Sequence, residues 1–251
     1  MKYLLYIIIG VLSALPCFSQ TDTTTINHNL QLVHLSDSVF IHISWVDSEK
    51  WGRFSNNGLL IIKNGEAVLV DTPMDNKQTK ELTDYLQVVL HVKIRAHIAG
   101  HFHDDCIGGL EYLQSIGSKS LASNLTIEKC KEENLPVPGI GFDKEYDCLF
   151  NEIPIECRFF GPGHSFDNIT VWLPEQKILF GGCLVKSVHS RSLGNLSDAV
   201  VDEWDVTVEK VQYAYPDLEV VVPGHGSVGD ASLLSHTIAL VRKHKEKQGS
   251  K

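Results

Sequence analysis

Four places in the chain combine a glycine-bearing turn with a side chain that can bind a metal. Ile94–Ala99 leads through Gly100 to His101, His103 and Asp105. Cys157–Phe160 leads through Gly161-Pro162-Gly163 to His164, and Ile178–Phe180 through Gly181-Gly182 to Cys183. Leu218–Val222 leads through Pro223-Gly224 to His225. Strands that end along one edge of a sheet bring their loops together, and glycine lets each loop turn sharply enough for its ligand to converge on the others. Imidazoles with a thiolate suit zinc, whereas magnesium and calcium prefer oxygen. Six protein ligands fit two zinc ions with three each, which leaves both ions the open position that catalytic zinc needs. Taken singly the pieces are weaker: a histidine such as His164 is more often packed or at the surface, a cysteine such as Cys183 is more often a buried apolar residue, and His225 between Pro223-Gly224 and Gly226 also reads as part of a turn. Their joint order, each at the end of a strand, is what points to a metal centre. No Gly-x-Ser-x-Gly or Ser-x-x-Lys sequence supports a serine nucleophile. His28, His34, His42, His91, His97, His189, His236 and His244 lack this context and receive no role.

These ligands need a frame of alternating elements. Apolar alternation predicts strands over Val39–Val46 and Leu59–Val70, the latter folded at Asn64-Gly65, a strong hairpin signal. Trp51–Gly58 between them reads as a loop or mobile hairpin tip, its aromatic residues being plain packing or a flap over an apolar ligand. Asp75 can cap a helix bearing Leu82, Tyr85, Leu86 and Val89, and a strand follows over Val92–Ala99. A helix is expected from near Asp104 with Ile107, Leu110 and Leu113, and another from about Ser123 to Glu133, before Pro136. Further strands are expected at Ile155–Phe160, Ile169–Leu173, Ile178–Phe180 and Leu218–Val222. Ser197 is expected to cap a helix carrying Val201, Trp204, Val208 and Val211, and a last helix to begin near Asp230. The pattern establishes a mixed α and β chain.

The N-terminus has its own character. Lys2 precedes an apolar run from Leu4 to Leu15, interrupted only by Tyr6, Gly10 and Ser13, and the chain turns polar after Ser19 at Gln20, Thr21 and Asp22. That order describes a secretory signal peptide over residues 1–19, and the run is too short to span a bilayer. Cys17 raises a lipid-attachment alternative, which Pro16 directly before it disfavours. The remaining residues 20–251 suffice for one large domain or two closely packed halves, exported to the periplasm or the medium. The formal net charge is -9, and Lys and Arg gather only at Arg242, Lys243, Lys245 and Lys247, at the end of a helix, so nucleic acid is not an expected partner. Removing the leader leaves five cysteines, Cys106, Cys130, Cys148, Cys157 and Cys183; an odd number cannot pair completely, and a metal is the common protector of a leftover thiol.

His101-Phe102-His103-Asp104-Asp105, His164, Cys183 and His225 resemble the metal ligands of the metallo-β-lactamases, in particular the first subclass of class B, whose dizinc site includes a cysteine. Asp71-Thr72-Pro73, Gly181–Lys186 and Gly194-Asn195-Leu196 are similar to that group too, and the match spans nearly all of residues 20–251. The resemblance implies an α+β fold, a four-layered α/β/β/α sandwich, with two zinc ions per chain. It implies that His101, His103 and His164 hold one zinc and Asp105, Cys183 and His225 the other. Lys186 would meet the substrate carboxylate, Asn195 would lie near the carbonyl oxygen under attack, Asp71 would support the ligands, and Asp105 could protonate the leaving nitrogen. The bland alternatives are a surface lysine for Lys186 and a turn residue for Asn195. The implied reaction is hydrolysis of the ring amide of penicillins, cephalosporins and carbapenems by a zinc-activated hydroxide without a covalent acyl-enzyme, which confers antibiotic resistance. A monomer with no stable membrane association is expected. The alternatives are another hydrolase of the same fold, a thiolesterase or lactonase, and a non-catalytic exported zinc-binding protein. Thiolesterase-like relatives typically carry a further His directly after the Asp of the first motif and a bridging Asp in place of Cys183; here Cys106 follows Asp105. Cys106 is expected to bear on affinity for the second zinc or on sensitivity to oxidation.

Overall fold

In the computed structural model, which describes residues 22–249, Asn64 and Gly65 both take left-handed φ angles of 53° and 74°. That is the type I′ geometry whose twist matches paired strands, and Lys63 stands opposite Glu66 across it. The residues read as a signal peptide, 1–19, and Cys17 with them, lie outside the described residues.

The first half of the chain forms an eight-stranded sheet in sequence order: β1 (Thr23–Asn27), β2 (Leu30–Ser36), β3 (Val39–Ser48), β4 (Gly52–Lys63), β5 (Glu66–Val70), β6 (Lys93–Ile98), β7 (Lys119–Ser123) and β8 (Ile140–Phe142). The meander from β1 to β5 is antiparallel; β5 to β8 run parallel. Parallel neighbours need crossovers, supplied by α1 (Asn76–Val88), then α2 (Asp104–Ile107) with α3 (Leu110–Ser115), then α4 (Asn124–Glu132). The second half contributes β9 (Glu145–Phe150), β10 (Ile153–Arg158), β11 (Thr170–Leu173), β12 (Ile178–Gly182) and β13 (Val220–Pro223), in the order 13-12-11-10-9, with α5 (Val201–Ala214) and α6 (Ser232–Gly249).

Apolar residues sort the layers. Ile41, Leu59, Ile61, Val68 and Val70 from the first sheet pack on Ile155, Val171, Leu173, Phe180 and Val222 from the second, all buried. Leu60, Leu69 and Ile94 point the other way, onto Leu82 and Leu86 of α1 and Leu113 of α3. Leu179 and Val221 meet Trp204, Val208, Leu234 and Val241 of α5 and α6. At about 1.5–3 kcal/mol for each large side chain withdrawn from water, these three interfaces hold helix, sheet, sheet and helix together. The layers are those of an α/β/β/α sandwich.

Three local expectations change. Trp51–Gly58 is not a loop: β3 and β4 pair continuously from Val39↔Ile61 to Ser48↔Gly52, and only Glu49–Trp51 turn. Polar residues hold this part of the ladder, since Ser44 Oγ donates to Asn56 Oδ1 at 2.7 Å. The helix expected from Asp104 breaks at Gly108-Gly109 into α2 and α3. Ser197 caps nothing; its hydroxyl bonds Asp198 at 2.7 Å, and α5 starts after Val200. Asp75 and Ser123 do cap α1 and α4, accepting from Gln78 N and Thr126 N.

Candidate metal centre

The C-terminal ends of β6, β10, β12 and β13 converge. His101 and His103 follow β6 on the loop into α2, and Asp105 sits in the first turn of that helix. His164 lies between β10 and β11, Cys183 directly follows β12, and His225 follows β13. The parallel pairing of β12 with β13 carries Cys183 and His225 to the same edge, and Gly224 N donates to Gly182 O at 2.7 Å. A Cβ on Gly224 would stand 2.5 Å from Cys183 Sγ, so that close approach requires glycine. The two sheets are stitched at this point: Asn57 of β4 donates from its backbone to Gly224 O at 2.8 Å and from its amide to Pro223 O at 2.9 Å and Gly226 O at 2.8 Å.

All six side chains gather into two triads. In the first, His101 Nε2 and His103 Nδ1 are 2.8 Å apart, and His164 completes a group whose donor atoms lie within 4.8 Å of one another. In the second, Asp105 Oδ2 is 3.0 Å from Cys183 Sγ and 3.2 Å from His225 Nε2, and Cys183 Sγ is 3.3 Å from that nitrogen. A tetrahedral ion with bonds of about 2.1 Å would separate its ligands by about 3.4 Å, so this triangle is close to the size that zinc requires. His101 Nε2 and Asp105 Oδ1, 3.6 Å apart, link the triads.

Electrostatics favour a cation there. Burial lowers the pKa of His101 to about 4 and that of His164 well below its usual value, so both rings keep a free lone pair at neutral pH. Burial pushes Asp105 upward, but the hydrogen bond from His225 and the charges of His101 and His225 outweigh it and hold the carboxyl well below the usual range. Burial, then the Asp105 charge, raises Cys183; a coordinating metal reverses that and deprotonates a thiol outright. The donor set fits zinc: four imidazoles, a thiolate and one carboxylate, with His164 Nδ1 buried and without a hydrogen-bond partner.

Behind the ligands stands a supporting layer. His103 Nε2 lies 3.1 Å from Asp198 Oδ2, and His225 Nδ1 lies 2.8 Å from Ser55 O. These contacts leave His103 Nδ1 and His225 Nε2 facing inward, the tautomer control that metal-binding histidines need. Cys106 Sγ is 2.9 Å from His101 Nδ1 at the three-histidine triad and 3.9 Å from Asp105 Oδ1 at the second, where the sequence had suggested its influence. Asp71, 2% exposed, accepts from Gly100 N at 2.6 Å, and burial raises its pKa to about 8. Nothing in the sequence separates Asp198 from the other acidic residues, 31 in all, and Ser55 contributes only a carbonyl. His42 and His97, without a role in the sequence, are fully buried and bond Asp71 O and Cys106 O at 3.0 and 2.9 Å.

The triads open into a cavity of about 970 Å³. Its walls are Val46, Trp51 and Phe54 of the β3–β4 hairpin, Met74 and Phe102, and on the far side Lys186, Gly194 and Asn195. Lys186 is 9% exposed, its ammonium 5.2 Å from the centre of the Trp204 ring. Trp204 donates to Leu184 O at 2.8 Å and so fixes the segment that carries Cys183 and Lys186. Asn195 lines the cavity, while its Oδ1 also accepts from Ser197 N at 3.3 Å, the turn contact that its Gly-Asn setting suggests. All five cysteines among the described residues are free thiols.

Comparison with known proteins places this arrangement. The profile of the Metallo-beta-lactamase superfamily matches residues 51–225. The chain is 40% identical over 241 residues to a metallo-beta-lactamase type 2 of Bacteroides fragilis, covering 96% of each, and 40% identical over 203 residues to one of Bacillus cereus, covering 79% of each. Among solved structures, VMB-1 superposes with a TM-score of 0.83 at 38% identity, over 87% of this chain and 99% of its own. A metallo-beta-lactamase from Pontibacter korlensis gives 0.82 at 36%, over 85% and 99%.

Proposed function

This chain belongs to the metallo-beta-lactamase superfamily and hydrolyses β-lactams in a zinc-dependent reaction, and we propose that it does so with two zinc ions, on penicillins, cephalosporins and carbapenems alike. The observation that carries the reading is the pair of linked triads, whose His103, Asp105, His164 and His225 line one cavity. Bound there, zinc supplies Lewis acidity and makes hydroxide available from water at neutral pH. His101, His103 and His164 would hold one ion, and Asp105, Cys183 and His225 the other.

The chain's own residues do the rest. Lys186, buried on the cavity wall, takes the substrate carboxylate as a point-charge contact, which presents the ring carbonyl to the triads. The Asn195 amide lines the same wall, where it can donate to the carbonyl oxygen as charge develops on it. Asp105, held ionised by its neighbours, can take the proton that the attacking water gives up and pass it to the ring nitrogen as that nitrogen leaves. The aromatic wall of Trp51 and Phe54 takes the apolar substituents. Cys106 after Asp105, where thiolesterase-like members of the fold typically carry a further histidine, supports the lactam over the thioester. The same reading includes export as a monomer to the periplasm or the medium, on the charge and apolar pattern of residues 1–19.

The test is steady-state hydrolysis of a chromogenic cephalosporin, a carbapenem and a thioester, with and without a chelator. Both lactams should be turned over, activity should vanish on chelation, and added zinc should restore it. Full lactam turnover after metal removal, or a thioester hydrolysed faster than either lactam, would overturn the proposal.

A further inference from the structure

The three histidines whose second ring nitrogen has a partner lean on three different acceptors. His103 meets the Asp198 carboxylate and His225 the Ser55 carbonyl, but His101 meets the sulfur of Cys106, at 2.9 Å. Once a metal takes the Nε2 lone pair of His101, the ring's hydrogen resides on Nδ1, and the Cys106 sulfur can accept it. The thiol's own hydrogen is then free to donate to Asp71, whose side chain is hydrogen-bonded to Cys106. Asp71 in turn accepts from Gly100 N at 2.6 Å, directly before His101.

Every member of this chain is fixed. Cys106 is 0% exposed and Asp71 2% exposed. Asp71 is held in a left-handed conformation, φ 55°, with its carbonyl bonded to His42 and its N–H donating to Ile98 O at 2.9 Å. The Cys106 carbonyl takes both His97 Nε2, at 2.9 Å, and Thr72 N, at 3.2 Å. Gly100 packs closely on the carboxylate: a Cβ there would come within 2.9 Å of Asp71 Oδ2.

We infer that Cys106 is a positioning residue for the three-histidine site, a sulfur link that aligns His101 through Asp71 and the buried layer beneath. The inference rests on the two-zinc reading above. Without the sulfur, the Nδ1 hydrogen of His101 would be buried without a partner, and the ring would lose the contact that aims Nε2 at the cavity.

Cobalt reports each site separately, since only the second includes a thiolate. The full chain and its Cys106→Ala and Cys106→Ser variants would be titrated with cobalt(II) against a chromophoric chelator. The ligand-field bands report the three-histidine site, and the thiolate-to-cobalt charge-transfer band reports Cys183. Cys106→Ala should weaken cobalt binding at the three-histidine site by roughly 10- to 100-fold, the usual cost of losing a ligand's hydrogen-bond support, with the charge-transfer band retained. Cys106→Ser, nearly isosteric, should recover most of that loss, because a hydroxyl oxygen accepts the same hydrogen. Parent-like affinity and ligand-field bands in Cys106→Ala would refute the inference, as would a serine variant as weak as the alanine one or a loss confined to the charge-transfer band. A parent chain that takes up no cobalt would remove the two-metal reading together with this one.

Discussion

Lys186 offers the sharpest test of how substrate is held. Its side chain is 9% exposed, burial lowers its pKa, and it forms no salt bridge among the described residues. A buried ammonium without a salt-bridge partner, drawn only at a distance by the Asp105 charge, opposes folding, so the residue costs stability unless something anionic enters the cavity. Replacing it by methionine keeps the length and the contact with Trp204 and removes the charge. A hydrogen bond between charged groups contributes about 1.5–3 kcal/mol. At about 1.4 kcal/mol per factor of ten, Lys186→Met should raise KM for a carboxylate-bearing lactam roughly 10- to 150-fold. The contact exists both before and during ring opening, so kcat should change far less than KM. The melting temperature should stay level or rise, since an unpaired charge has left the interior. Steady-state kinetics on a carbapenem and a thermal melt of the same preparation decide the matter. An unchanged KM would refute the reasoning, and so would a raised KM accompanied by a lower melting temperature, which would make the lysine a structural element.

Two further outcomes follow from the layer beneath the site. Burial lowers the pKa of His97 from 6.5 to about 4, so its contribution to stability is present above pH 6.5 and is lost as the pH falls toward 4. At about 1.4 kcal/mol per unit this amounts to about 3 kcal/mol, so between neutral pH and about pH 4 the parent should lose about that much more unfolding free energy than His97→Leu in denaturant titrations; parallel pH profiles would show that His97 does not titrate there. Gly224→Ala would force a Cβ to 2.5 Å from Cys183 Sγ and 2.7 Å from Cys183 N, so the sulfur must shift and the thiolate-to-cobalt band should disappear while the three-histidine bands remain; an intact band would show that the turn can yield.

The layers and the ligands were legible in the sequence for different reasons. Leu59–Val70 announced its hairpin because Asn64-Gly65 is one of few pairs that accept two left-handed residues in succession. His101, His103, Asp105, Cys183 and His225 could be selected because each follows an apolar run and a glycine. The outer part of β4 could not be read, since Gly52–Gly58 has no apolar alternation and pairs through polar side chains and contacts with a strand far away in sequence. The break at Gly108-Gly109 was hidden by Ile107, Leu110 and Leu113, whose helical spacing persists across it. Asp198 and Ser55 escaped because support for a ligand comes from whichever acceptor the fold delivers, and no local spacing encodes that.

The ligands are divided between the halves of the chain in a way that bears on how the molecule assembles. His101, His103 and Asp105 come from the loop after β6 and the first turn of α2, whereas His164, Cys183 and His225 belong to the five-stranded half. Neither half alone supplies more than two members of either triad. A complete triad therefore exists only where the two halves meet, so full coordination of an ion depends on the sheets docking through their shared apolar face.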